Sequence, residues 1–220
     1  MITTPTLDVE RSLHAQGFQF VAGVDEVGRG ALAGPVTVGV AVVDATVENV
    51  PLGLRDSKQM SAKARADILS TVQNWVTEYS MGSATATEID EIGIVQALKL
   101  AWVRAYEQLR IKPSAVILDG KHNWIAATGD SLFQAKVPTI DVNVTMQVKA
   151  DAHCGSVAAA SVLAKVARDL EMQALGLEFP DYGWQSNVGY GSATHLSAIA
   201  KLGVTEFHRK SWRLPDKVTG

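Results

Sequence analysis

The chain is poor in the features that mark several common protein classes. It has one cysteine, Cys154, among 220 residues, which excludes an internal disulfide and fits a reducing compartment. That thiol reads as a small packed side chain rather than a nucleophile. No apolar run reaches the length that spans a bilayer. The N-terminal stretch MITTPTLDVERS lacks a basic region followed by an apolar one, so neither membrane association nor a signal peptide is expected, and the expected location is cytoplasmic. The histidines show no zinc-site spacing, and there is no repeat or low-complexity linker. With a net charge of −3, the chain has no global attraction to nucleic acid. Basic residues do cluster locally, at 58–65 and 208–213. What remains is ordinary globular composition, 47% hydrophobic and 20% charged. One domain is expected over residues 1–220, with a core at about 20–178 and a C-terminal portion of helix and loop at about 179–214.

Residues 20–44 carry the strongest local signal. Phe20, Val21 and Val24, then the alternating Val36, Val38, Val40 and Val42, fit two half-buried strands. Between them stand Asp25 and Glu26, followed at once by Gly28-Arg29-Gly30. Adjacent carboxylates at the end of an apolar strand are costly unless their charge is compensated. The glycines allow backbone N–H groups to approach a bound group closely. Acid beside amide donors therefore points to a site for a metal and a phosphate together. A solvated hairpin end is the plain alternative. A dinucleotide-binding loop fails on context, because its glycines must open a helix, whereas Gly34-Pro35 leads into a β-branched run.

Further along, Ser61 is placed to cap a helix with Ile68, Leu69, Val72 and Val76 on its apolar side. Residues 79–86 read as a third strand in a meander with the first two. Thr87-x-x-Asp90 is placed to cap a helix carrying Val95, Leu98, Trp102 and Leu109. Ala115-Val116-Ile117-Leu118 reads as a buried strand ending in Asp119-Gly120, and 121–134 as loop with a short turn near Ser131. Residues 142–148 form a fifth strand, ending near Asp151. Ser156 then opens an Ala-rich helix that Gly176 is placed to terminate, and a short helix is expected over 194–202.

Strands alternating with helices in the second half indicate an α/β layer fold with some parallel pairing. Three apolar strands end in acid: Asp25-Glu26, Asp119 and Asp151. Sites in open α/β sheets gather at the carboxyl ends of neighbouring strands, so adjacency of these strands would bring four carboxylates into one cleft. Such anions raise one another's pKa unless cations hold them. All-oxygen ligation suits Mg²⁺ or Mn²⁺ rather than zinc. His153, near Asp151, reads as structural or as a support to the ligands. An acidic cleft that admits a polyanion needs cations around it, so Lys58, Lys165 and the Arg209-Lys210 pair are expected to include phosphate contacts. Lys165 and Arg168 could equally form the solvated side of their helix.

Together the motifs VAGVDEVGRGALAGP, DSK, LDG, KADA, SVAAASVLAKVARD, YGW, GYGS-x-x-H and HRKSW resemble those of bacterial ribonuclease HII, the type 2 ribonuclease H. They occur in family order over nearly the whole chain. The resemblance implies an α/β fold, a ribonuclease H-like mixed five-stranded sheet flanked by helices, with a helical C-terminal portion. It implies a metal-dependent endonuclease, acting as a monomer on RNA–DNA hybrids and on ribonucleotide-containing duplex DNA, and hence ribonucleotide excision repair. By motif, Asp25, Glu26, Asp119 and Asp151 would be the catalytic, metal-binding acids. Gly28, Arg29 and Gly30 would hold the ribonucleotide, and Tyr190 would stack on the substrate. The chain departs from the family pattern at Ala150, Ser192, Trp184, Trp212 and Asn187-Val188. Two rival readings are a catalytically silent nucleic-acid binder and a metal nuclease or phosphatase with no ribose preference.

Overall fold

The computed structural model describes residues 4–126 and 137–216. After a short helix α1 (Asp8–Ala15), the chain forms β1 (Phe20–Val27), β2 (Val36–Asp44), α2 (Ala62–Trp75), β3 (Glu78–Ala84) and α3 (Ala86–Gln108). Then come β4 (Ala115–Asp119), β5 (Asn143–Gln147), α4 (Ala150–His153), α5 (Gly155–Glu178), α6 (Trp184–Asn187) and α7 (Ala193–Leu202). The strands make one mixed sheet in the order β3-β2-β1-β4-β5. β1 runs antiparallel to β2, which runs antiparallel to β3, while β4 is parallel to both β1 and β5. The expected meander and the later parallel pairing are both present. β1 lies beside β4, so the first and second acid-bearing strands are neighbours.

Helices cover the two sheet faces, and strand periodicity divides the residues between them. Ala22, Val24, Val36, Val38, Val40 and Val42 pack with Leu98, Ala101 and Trp102 of α3. Val21, Ala41, Val43, Ala115 and Ile117 pack with Val157, Ala158 and Val162 of α5. β2 is therefore buried on both faces over Val36–Val43, not half-buried as its alternation suggests. Gly39 and Ala41 occupy its second face because α5 comes so close: a Cβ on Gly39 would stand 2.5 Å from the Ala160 carbonyl oxygen. Small residues there look neutral to a periodicity argument, yet they are the packing surface.

Three local expectations are corrected. The N-cap of α3 is Thr85, whose hydroxyl accepts from the Glu88 N–H while the Glu88 carboxylate accepts from the Thr85 N–H. This reciprocal pair outcompetes a cap at Thr87. In the helix so placed, Val95 is exposed. α5 begins at Gly155 and runs through Gly176 rather than ending there. That glycine is buried because α6 crosses it, a Cβ standing 2.7 Å from the Gln185 nitrogen. Finally, Asp151 lies in the short helix α4, beyond the end of β5. The turn expected near Ser131 falls outside the described residues. Among the described residues, no helix is long and apolar enough to cross a membrane.

Candidate active site

Three of the four acids expected from the sequence, Asp25, Glu26 and Asp119, line one cleft at the carboxyl end of β1 and β4, and Asp151 stands at its edge, paired with the cleft residue Lys58. Asp25 and Glu26 come from the end of β1, Asp119 from the last position of β4, and Asp151 from α4. Lys149, in the left-handed conformation at φ 58°, makes the turn that starts α4. The N–H of Ala150 then donates to the Asp119 carboxylate at 2.7 Å. One backbone bond thus ties the third acid to the segment carrying the fourth. Asp25 and Asp151 are almost wholly buried, at 4% and 5% exposure.

Electrostatics couple the acids in a closed ring. Burial, then repulsion from Glu26 and Asp151, pushes the Asp25 carboxyl up to about 7. Burial and Asp119 raise Glu26, and burial and Asp151 raise Asp119. Cations oppose this. The Lys58 ammonium meets Asp151 at 3.0 Å; burial alone would depress its pKa, but Asp25 and Asp151 outweigh that and raise it. Arg29 reaches Glu26 at 3.2 Å. The donor set is all oxygen and excessively negative, which is the chemistry of a hard divalent-cation site. Among the described residues, no three of His, Cys, Asp and Glu already stand close enough for a ready metal site. The donors face one cleft in an open arrangement, with Lys58 reaching among them.

The cleft, about 210 Å³, is also lined by Gly28, Gly30, Ser57, Ser161, Lys165 and Tyr190. Tyr190 is 37% exposed, and its hydroxyl accepts from the Gly28 N–H at 3.2 Å. The glycine loop and the tyrosine loop, 162 residues apart in sequence, are therefore joined. Lys165 lines the cleft, but its ammonium is already paired with Asp169 at 2.6 Å. His153 is exposed.

Arg209 does not take the phosphate-facing role expected of it, and Arg168 is not on a solvated face. Both are fully buried. Arg209 donates to the carbonyls of Gly28, Arg29 and Gly34 at 2.6–3.2 Å. Arg168 donates to Ala33, Pro35 and Val188 at 2.8–3.1 Å. Two guanidiniums thus hold the loop's carbonyls from behind. Sequence reasoning saw their motifs but not this role, because a basic residue in a basic run looks solvated. Ser161 was missed altogether: its hydroxyl steadies the Asp25 anion and lies 2.7 Å from the Ser57 hydroxyl. An Ala-rich helix with one serine facing the acid strand is the signal that was available.

The departures from the family pattern are locally fitted. Ser192 caps α7 by accepting from the His195 N–H at 3.2 Å. Ala150 is wholly buried behind Asp119. Asn187 accepts from the Gly189 N–H at 2.9 Å, and Val188 turns at φ 44° so that its carbonyl meets Arg168.

Comparison with known proteins gives the family and the fold. The family model for ribonuclease HII matches residues 22–214. The chain is 46% identical over 213 residues to the ribonuclease HII of Streptomyces avermitilis, covering 96% of this chain and 85% of that one. Among solved structures it is similar to ribonuclease H2 from Pyrococcus horikoshii, with TM-score 0.68 and 28% identity, covering 88% of this chain and 93% of that one. It also shares the fold of Bst ribonuclease HIII solved in complex with Mn²⁺, with TM-score 0.62 and 23% identity, covering 85% of this chain and 62% of that one.

Proposed function

The chain belongs to the ribonuclease HII family and is an enzyme of the ribonuclease H class, and we propose that it hydrolyses the RNA strand of RNA–DNA hybrids and cuts 5′ of ribonucleotides embedded in duplex DNA. Products would be 5′-phosphate and 3′-hydroxyl ends. The observation that carries this reading is the convergence of Asp25, Glu26 and Asp119 on one cleft, with Asp151 joined to it through Lys58 and through the Ala150 N–H on Asp119, beside a backbone loop that Tyr190 touches. Asp25, Glu26, Asp119 and Asp151 would hold Mg²⁺ or Mn²⁺, two ions in the two-metal route, whose chemistry is to lower the pKa of a bound water and offset charge on the leaving 3′ oxygen.

The chain's own groups supply the positioning. The Gly28-Arg29-Gly30 backbone, its carbonyls held from behind by Arg209, offers its open side to the ribonucleotide. The 2′ hydroxyl both donates and accepts. Since Gly28 and Arg29 already bond Tyr190 and Arg209, the backbone at Gly30, where a Cβ meets nothing within 4 Å, is the part of the loop that would recognise that hydroxyl. Arg29 and Lys58 bring positive charge to a phosphate, and Tyr190 would press its ring on the adjoining sugar. Pure binding gains nothing from four anions facing phosphate, which favours catalysis over a silent binder.

The test is digestion of duplex DNA carrying one ribonucleotide, beside an all-DNA control, with each metal in turn. Cutting confined to the 5′ side of the ribonucleotide is expected. Tight binding without cutting would indicate the silent binder, and equal cutting of both duplexes a nuclease with no ribose preference.

A further inference from the structure

Two histidines outside the acidic cleft are wired to its tyrosine. His208 and His195 are fully buried, packed against the rings of Tyr182 and Trp184. Their Nε2 atoms stand 3.1 Å apart. His195 Nδ1 lies 2.9 Å from the backbone carbonyl oxygen of Tyr190.

The tautomers are set by groups that can only donate. The backbone N–H of Thr205 lies 2.9 Å from His208 Nδ1, so that nitrogen carries the lone pair and neutral His208 keeps its proton on Nε2. The indole N–H of Trp184 lies 3.0 Å from His195 Nε2, so the proton of His195 sits on Nδ1. These assignments rest on separate donors, and they agree. His208 Nε2–H donates to His195 Nε2, and His195 Nδ1–H donates to Tyr190. A second proton on His195 Nε2 would face the Trp184 N–H, which cannot turn away; on His208 Nδ1 it would face the Thr205 N–H, with only the Thr205 hydroxyl, also 2.9 Å away, able to accept it. Burial lowers the pKa of both imidazoles. His195 and Lys210 lower His208 further, and Tyr182 directs its hydroxyl to the Gly203 carbonyl instead.

We propose that His195 and His208 are positioning residues that fix Tyr190 in the cleft through their neutral tautomers. The path runs from Thr205 through both rings to the Tyr190 carbonyl, and the Tyr190 hydroxyl completes it at Gly28. Its consequence for cleavage rests on the reading of Tyr190 as a substrate residue.

The test uses full-length protein labelled with 3-fluorotyrosine, its Tyr190 ¹⁹F resonance assigned through Tyr190→Phe. His195→Phe keeps the volume and removes the donor. His195→Asn puts an amide nitrogen near the place of Nδ1, and His208→Gln puts one near the place of Nε2. The Tyr190 resonance should shift or broaden in His195→Phe and return towards wild type in the two amide variants. Imidazole ¹⁵N shifts should show Nδ1–H on His195 and Nε2–H on His208. On substrates, His195→Phe should lose at least fivefold more activity on a single embedded ribonucleotide than on a long hybrid, as should Tyr190→Ala. An unmoved Tyr190 resonance in folded His195→Phe, or the opposite tautomers, overturns the proposal. Should His195→Phe not fold, the ¹⁵N tautomers and the amide variants decide it. If the resonance moves but Tyr190→Ala itself leaves the substrate ratio unchanged, the reading of Tyr190 fails while the positioning role stands.

Discussion

Gly28 and Gly30 look equivalent in sequence, and alanine at each separates two reasons for a glycine. Gly28 has φ +80°, and a Cβ there would lie 2.1 Å from Nε and 2.6 Å from Cζ of Arg168. The left-handed backbone costs about 1–2 kcal/mol for a residue with a side chain. The guanidinium that must move holds three carbonyls, and each charged hydrogen bond broken costs about 1.5–3 kcal/mol. Losing one such bond brings the total to on the order of 3–5 kcal/mol, or roughly a 10 °C drop in Tm for a chain of this length. Gly30 has no positive φ, and a Cβ there meets nothing within 4 Å. Gly30→Ala should leave Tm within about 2 °C of wild type, or raise it slightly through the unfolded chain. Gly30 lines the cleft, so on the proposed reading of this loop as the ribonucleotide's seat the added methyl should raise KM for the single-ribonucleotide duplex at least tenfold. Thermal unfolding and steady-state cleavage of both variants decide it. A wild-type Tm for Gly28→Ala would falsify the carbonyl-clamp argument, and wild-type kinetics for Gly30→Ala would show that nothing needs to approach that backbone.

The same geometry carries three more expected outcomes. Asp25→Asn and Asp119→Asn should each abolish cleavage, and in chelator Asp25→Asn should unfold no earlier than wild type, because a buried, repelled charge has been removed; near-normal turnover in either would sink the assignment of the acids. Lys58→Ala should lower the log–log salt slope of substrate binding by about one, and Lys165→Ala by less, because both ammoniums are paired with a carboxylate but the Lys58 side chain is 66% exposed and that of Lys165 only 17%; equal slopes in wild type and Lys58→Ala would place Lys58 outside the phosphate contacts. His208 is held down to about 4 by burial, His195 and Lys210, against about 6.5 when unfolded. The unfolded chain binds more protons between those values, so this stabilisation is complete above about pH 6.5 and is lost as pH falls towards about 4, with about 2 kcal/mol gone by about pH 5. Denaturant melts across that range should show the loss, and His208→Gln should flatten it; an unchanged slope in His208→Gln would rule the residue out as its source.

Residues that announce themselves by chemistry were legible, and residues that act by being small or hidden were not. Asp25, Glu26 and Asp119 could be found because a charge ending a β-branched run has few structural reasons to be there. Asp151 could be found from its motif, although its strand stops at Gln147 and a left-handed Lys149 carries it into α4. The second buried face of β2 could not, since Gly39 and Ala41 count as neutral in any alternation. Thr85 and Thr87 compete for one helix start, and only the reciprocal bond with Glu88 decides between them. Arg168 and Arg209 were the hardest, because burial of a guanidinium without a carboxylate partner is rare. It is tolerated here because three loop carbonyls each solvate it.

The apolar packing of α5 and the chemistry of the cleft are one arrangement. Gly23 lets the helix start against β1, since a Cβ there would stand 2.1 Å from the Ser156 carbonyl carbon. Asp25, two residues on, points to the same face of the sheet. Beyond Ser156, helical geometry sets the remaining contacts. Ser161, Lys165, Arg168 and Met172 lie along one side at spacings of three and four. Ser161 meets Asp25, Lys165 enters the cleft, Arg168 lies behind Gly28, and Met172 lies behind Gly34 and Gly189. A side chain at Gly23 would push the helix away and move all four contacts together. The polar site therefore depends on a residue with no side chain, buried in an apolar layer, whose removal no inspection of the cleft would suggest.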